Sequence, residues 1–278
     1  MHNLTNYHSH STYCDGKSNI EEFVATAVWL GFSSYGISPH SPIPLNSDSN
    51  MRKSRMGDFI GEMENLKLKY EGKIELYSGM EIDYLGDEWN ATGEYFSSLP
   101  LDYRIGAVHF VKDDDGRYVD IDCNCNAFCE ITDKRFGGDI RHLVEIYFGT
   151  MRRMIETGGF DFVAHPDKIS MNASSYLPGI TGEDWYNDLV SDYYTFIASK
   201  GVILEVNTKS FYHKGCLFPN KEWFSFLNSL GVQLVVNSDA HIPVLMTQGY
   251  SEVKRMLKDA GYTSLMQFKA GEWCKNML

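Results

Sequence analysis

Seven short runs of apolar, β-branched or aromatic residues alternate with longer segments of helical period along this 278-residue chain. That alternation limits the fold more than any other feature. The runs cover 4–8, 34–38, 74–82, 102–108, 160–164, 202–206 and 232–237, and each reads as a strand. Helices are expected over 20–30, 56–70, 140–157, 183–200, 221–230 and 245–259. Ser18 and Glu21 have the spacing of a capping box at the start of the first helix. Gly201 and Gly231 each stand between a helical segment and a strand, which is the turn of a repeating βα unit. This order predicts an α/β fold with a mostly parallel sheet, open or closed into a barrel. Either form puts function beyond the carboxyl ends of the strands.

Six histidines and three acids sit at those ends: His8-Ser9-His10 with Asp15, then His40, Glu81, His109, His165, and Asp239-Ala240-His241. Neutral imidazole and carboxylate suit zinc, iron or manganese, and nine such groups are enough for more than one ion. Strand alternation has period two, so His8 and His10 share a face, and Asp239 and His241 can do the same. The two pairs become neighbours if the sheet closes on itself. Taken singly, each histidine would equally suit a hydrogen-bonded core position; the combination favours a metal site. Glu81 lies inside an apolar run, where a carboxylate is costly unless paired or metal-bound. Asp83 shares its facing and is expected to stand behind it. The sixth run offers Glu205 and Asn207 instead of a ligand. His2, His142 and His213 end no strand and are left out of the metal set. The nucleophile-elbow, phosphate-loop and His-Glu-x-x-His templates are absent. Cys14 reads as a neighbour of the metal site.

Composition narrows the partners. The formal charge of −12 opposes binding to nucleic-acid backbones or anionic membranes, and it could draw in a cationic substrate group. The 43% hydrophobic content can build a sizeable core. No run of 18 apolar residues and no secretory leader is seen, so a cytoplasmic protein is expected. The cysteines at 123, 125 and 129 fit no common zinc module and read, with Cys14, Cys216 and Cys274, as reduced thiols. No linker or repeat divides the chain, so 1–278 reads as a single domain. Three polar stretches, 39–50, 84–100 and 111–138, follow ligand-bearing strands and are expected to wall the site.

The ordered set H-x-H, D, H, G-x-E-x-D, V-H, A-H and S-D-A-H resembles the PHP (polymerase and histidinol phosphatase) superfamily over nearly the whole chain. Within it, the chain looks like the stand-alone histidinol-phosphate phosphatases. The resemblance implies a distorted (β/α)7 barrel with the metal site at the C-terminal rim. It also implies three zinc, iron or manganese ions. The first ion would take His8, His10, Glu81 and Asp239. The second would take Glu81, His109 and His165, and the third Asp15, His40 and His241. Glu81 would bridge, and Glu81, Asp239 and His241 would carry catalysis. Ions ~3.5–4 Å apart can share an activated hydroxide that attacks phosphorus. The implied reaction is hydrolysis of L-histidinol phosphate to L-histidinol and phosphate. Related phosphatases often have an arginine near 213, where this chain has histidine. Phosphate contacts are expected from Lys168, His213 and Lys214, with Arg52, Lys53 and Arg55 as alternatives. Three other readings remain: hydrolysis of another small phosphate ester, such as a nucleotide or sugar phosphate; an amidohydrolase-like metal hydrolase; and a non-catalytic metal-binding module.

Overall fold

In the computed structural model, which describes residues 4–278, the seven expected runs become the seven strands of one parallel sheet in chain order. They are β1 (Leu4–Asn6), β2 (Phe32–Ile37), β3 (Glu75–Asp83) and β4 (Tyr103–Ala107), then β7 (Phe162–Val163), β8 (Ile203–Asn207) and β9 (Leu234–Asn237). The hairpin β5 (Phe110–Lys112) and β6 (Tyr118–Asp120) interrupts the series after β4. The turn of that hairpin is the acidic stretch Asp113–Gly116, where Gly116 N–H donates to the Asp113 carbonyl at 2.9 Å. His2 lies outside the described residues. Among those described, no helix is long and apolar enough to cross a membrane.

The outer helices largely follow the expected pattern. α1 is Ile20–Leu30, α2 Met56–Lys69, α5 Ile140–Thr157, α7 Asp184–Lys200 and α9 Phe224–Ser229. Three start signals differ. The cap of α1 is Asn19, not Ser18: its side-chain oxygen accepts from Glu22 N–H at 2.9 Å, so the box expected from Ser18 and Glu21 is not the one used. The segment expected to run as one helix over 245–259 breaks at Gly249, whose φ of 72° is left-handed, and α10 spans only Tyr250–Asp259. The segment over 221–230 opens with a 3-10 turn before α9. The wall stretches carry short helices of their own, α3 (Glu94–Ser97) and α4 (Cys125–Arg135), and α6 (Ile169–Tyr176) follows β7.

The sheet closes between β1 and β9 mostly through side chains. Tyr7 N–H donates to Asn237 Oδ1 at 2.8 Å, and Ser238 N–H donates to Asn6 Oδ1 at 2.8 Å. A backbone bond from His10 N–H to the Ala240 carbonyl, at 2.9 Å, completes the seam. These amides replace the ladder that the short end strands cannot make, since buried backbone groups must find partners.

The floor of the barrel is filled with aromatic residues. Tyr103 projects from β4 between Gly36 and Gly79, where an added Cβ would come within 2.1 Å of its ring atoms. No larger residue fits at either glycine without displacing the ring. Under Tyr103, the antiparallel hairpin β10 (Ser264–Lys269) and β11 (Glu272–Met277) brings Met266, Phe268 and Trp273 against Tyr7, Phe162 and Ile203. This hairpin plugs the amino-terminal end of the barrel, leaving the opposite end for chemistry.

Candidate metal centre

The strand ends bring all nine expected ligand residues to one rim. Glu81, from β3, is the hub. Its Oε2 lies 2.8 Å from His40 Nδ1, 3.2 Å from His8 Nε2 and 3.5 Å from His10 Nε2. Its Oε1 lies 2.8 Å from His165 Nε2 and 3.4 Å from His109 Nε2. Asp239 Oδ1 is 3.1 Å from His10 Nε2, and Asp15 Oδ2 is 3.2 Å from His241 Nε2. Among the described residues the side chains form four overlapping groups that could each hold an ion: His8, His10 and Asp239; His10, Asp15, His40 and His241; His40, Asp83 and His109; and Glu81, His109 and His165.

Polar atoms at the centre lack partners. His8 Nε2, His10 Nε2, Glu81 Oε2 and Asp15 Oδ1 are shielded from solvent and make no hydrogen bond. Buried polar groups are normally satisfied, and each one that is not costs about 1–3 kcal/mol. Divalent cations would satisfy this nitrogen and oxygen set, so the residues fit metal ions. The charge balance leads to the same conclusion. Burial alone would raise the Glu81 carboxyl pKa, but the imidazoles of His8, His40 and His109 outweigh burial and hold it well below the usual range. Burial disfavours charge on His8, yet Glu205, Glu81 and Asp239 together pull its pKa well above the ordinary value. Burial together with His40 and His241 pushes His10 well below it, into the neutral form that ligates metals. The carboxylates thus call for positive charge at their centre, and bound cations would supply it.

Outer partners fix the imidazole rings. Glu205, at the floor of the site on β8, takes His8 Nδ1 at 2.7 Å and accepts from His165 N–H at 2.9 Å. Asp83 Oδ1 holds His109 Nδ1 at 2.7 Å, so Asp83 stands behind a ligand as its facing predicts. A carboxylate on the far nitrogen sets both the tautomer and the ring angle of a metal-binding histidine. The backbone is strained at two of the rim residues: φ is 24° at His165 and 48° at Asp239. Non-glycine residues adopt such angles at about 1–3 kcal/mol each, and such outliers concentrate at functional sites.

Above the cluster lies a cavity of about 310 Å3, lined by His40, His109, Asp120, Asp122, Lys168 and Lys209 among others. Ser47, Ser49 and Asn50 from the 39–50 stretch and Asp120 and Asp122 from the 111–138 stretch form its walls, together with Phe110 just before the latter, as expected of two of the three polar segments. Lys168 is buried and pairs with Asp122 at 3.2 Å. His213 and Lys214 are not in the cavity. They occupy α8 (Phe211–Lys214), a single exposed turn. The cation that β8 sends to the site is instead Lys209, with Nζ 3.3 Å from His241 Nε2 and 3.5 Å from Asp239 Oδ1. Its position two residues beyond Asn207, at the end of an apolar run, is the sequence signal that marks it. Arg55 is tied to the Thr12 carbonyl at 2.6 Å and stacks on Tyr13, and Lys53 lies over Tyr95; neither they nor the exposed Arg52 line the cavity. All six cysteines are free thiols, and no metal-competent group among the described residues includes one.

Comparison with known proteins agrees with this geometry. The model for the PHP domain matches residues 6–209. A Schizosaccharomyces pombe protein named "Probable histidinol-phosphatase" is 24% identical over 95% of this chain and 89% of its own length. The histidinol-phosphatase of Bacillus subtilis is 26% identical over 51% of this chain and 56% of its own. Among solved structures, the hisK protein of Listeria monocytogenes superposes with a TM-score of 0.80 at 20% identity, covering 90% of this chain and 99% of that one. Histidinol phosphate phosphatase of Lactococcus lactis, solved with zinc, L-histidinol and phosphate, gives 0.72 at 17% identity over 98% of each chain. At these identities the structural matches establish the fold, a nearly closed seven-stranded parallel barrel.

Proposed function

The chain belongs to the PHP domain family, and from that premise we propose that it is a metal-dependent phosphomonoesterase that converts L-histidinol phosphate and water to L-histidinol and phosphate. The observation that carries this reading is the Glu81 hub, with five imidazoles within 3.5 Å and unpartnered atoms at its centre. The ligand sets are those given above: His8, His10, Glu81 and Asp239; Glu81, His109 and His165; and Asp15, His40 and His241. Three zinc, iron or manganese ions bound there would supply Lewis acidity and an activated water.

The chain's own residues do the rest. Lys168 and Lys209 face the cavity above the cluster and neutralise the non-bridging phosphoryl oxygens. Glu205 and Asp83 hold His8, His165 and His109 in place, so that no reorganisation is needed when charge develops. Water attacks phosphorus in line with the departing alkoxide, the P–O bond breaks, and the leaving oxygen takes up a proton. The proton comes from the attacking water, and His241 Nε2, beside Asp15 and Lys209, would hold the third ion next to the leaving oxygen.

Asp120 favours histidinol phosphate over uncharged esters. It lines the cavity, its carboxylate accepts from Asp122 N–H at 2.8 Å, and among the described residues no lysine, arginine or histidine comes within ion-pair distance of it. Burial raises its carboxyl pKa, against the Asp122 N–H bond and the charge of His109, which lower it. The ammonium of histidinol phosphate supplies a counter-charge. A cytosolic setting, where the six thiols stay reduced, is part of the same proposal.

A panel assay of the metal-loaded protein tests the reading. Histidinol phosphate should be preferred over glycerol, sugar and nucleotide phosphates. Asp120→Asn should reduce kcat/KM for histidinol phosphate by about tenfold, one charged hydrogen bond, while leaving glycerol phosphate turnover nearly unchanged. Equal rates across the panel would remove the substrate assignment.

A further inference from the structure

A second cleft, of about 490 Å3, opens on the outer side of the 165–168 turn, away from the catalytic cavity. Its lining includes Asp167, Tyr186, Asn187, Asn220, Glu222 and Trp223, with no lysine or arginine. Asp167 is 2% exposed and forms no ion pair; its Oδ2 accepts from Asn220 N–H at 3.0 Å, while its Oδ1 is buried without any partner. The Tyr186 hydroxyl, also 2% exposed, is buried and unpartnered. Behind them the Tyr194 hydroxyl faces the Asp167 carboxyl, the Tyr147 hydroxyl faces the Lys168 amide, and the Tyr193 hydroxyl makes no hydrogen bond. The cleft therefore gathers a buried carboxylate that no cation of the protein pairs with and the buried, unpartnered Tyr186 hydroxyl, against an aromatic wall of Tyr186 and Trp223. A buried anion is stable only when paired, and cations bind over aromatic faces.

We propose that this cleft binds a small organic cation carrying a primary ammonium group. Asp167 Oδ1 is the counter-ion, the Tyr186 hydroxyl and the Asn187 and Asn220 side chains are further hydrogen-bond partners, and Trp223 is the ring beside the ligand. The site is separate from the catalytic cavity, yet it shares a turn with it. Asp167 adjoins Lys168, which faces the phosphate side, and Lys168 N–H donates to the His165 carbonyl at 3.0 Å. An occupant is thus one residue away from the catalytic wall.

Calorimetric titration of the metal-loaded protein with ethanolammonium, and with ethylene glycol as the uncharged probe of similar size, tests the site. Ethanolammonium should bind, and ethylene glycol should not. The affinity should fall about tenfold or more in Asp167→Asn and persist in Asp120→Asn, which removes the carboxylate of the catalytic cavity instead. Tyr186→Phe, which buries no new charge, should weaken binding by about three- to tenfold and keeps the test open if Asp167→Asn does not fold. No binding of ethanolammonium, equal binding of both probes, or an affinity unchanged in Tyr186→Phe and Asp167→Asn would overturn the proposal, and the cleft would then hold water only. Loss of binding in Asp120→Asn alone would also overturn it, by assigning the cation to the catalytic cavity.

Discussion

At the base of the barrel the Tyr7 hydroxyl lies 2.7 Å from Ser34 Oγ, donates to the Phe268 carbonyl and accepts from Phe268 N–H, both at 2.9 Å. Tyr103 donates to the Tyr7 carbonyl at 2.6 Å, and Trp273 Nε1 donates to Asp161 at 2.9 Å. At the rim, His8, His10, Glu81 and Asp15 each keep a buried atom that makes no hydrogen bond of normal geometry. One end is closed by protein partners that satisfy every bond just described. The other keeps its polar atoms aimed at a common centre and accepts left-handed backbone at His165 and Asp239. The contrast separates residues kept for stability from residues kept for chemistry, and mutations at the two ends should be distinguishable in kind.

The largest expected effect is at the rim. Glu81→Gln removes the central charge and should lower kcat by about a thousandfold or more, roughly 4 kcal/mol of transition-state stabilisation. Its circular dichroism and melting behaviour should stay close to those of the parent, because the base is untouched. Near-normal turnover would end the hub role. Tyr103→Ala should act in the reverse sense, costing about 3–4 kcal/mol of stability by opening a cavity between Gly36 and Gly79. Denaturant titration would read the loss, while kcat of the folded fraction should change little. Asp83→Asn is smaller: with His109 less firmly oriented, metal affinity should drop by about 10–100-fold, measurable by competition with a chelator. The smallest is Tyr7→Phe, expected to cost about 1 kcal/mol in unfolding experiments with unchanged metal content. A loss of metal in Tyr7→Phe, or of stability alone in Asp83→Asn, would blur the two ends.

Much of the rim was legible before any coordinates, because a histidine or acid that ends an apolar strand is conspicuous against β-branched neighbours. His8, His10, Glu81, His109 and His165 all carry that signal, and Glu205 carries it too, as an acid inside 202–206. Its role behind His8 and His165 depends on which strands become neighbours. The cations that line the cavity carry a weaker signal. Lys209 and Lys214 are both basic residues beyond the same strand, and only the path of the chain after Asn207 turns the first inward and leaves the second on the exposed turn of α8. The terminal hairpin gives no clear period, since Leu265, Met266, Gln267 and Phe268 are all buried. A strand pair outside the βα rhythm has no partner in the local pattern, and its partner here is the floor of the barrel.

By itself the sequence determined the seven βα units, their parallel order and the residues offered to metal ions, since hydrophobic period and ligand chemistry are local properties. Tertiary structure decided the rest. Closure of β1 against β9 through Asn6 and Asn237 brought His8 and His10 beside Asp239, and the hairpin sealed the opposite end. Closure also left Glu81 among five imidazoles, with a buried atom that makes no hydrogen bond. Which groups meet, and which remain without partners, depends on contacts between residues up to 261 positions apart in the chain, and no local pattern encodes that.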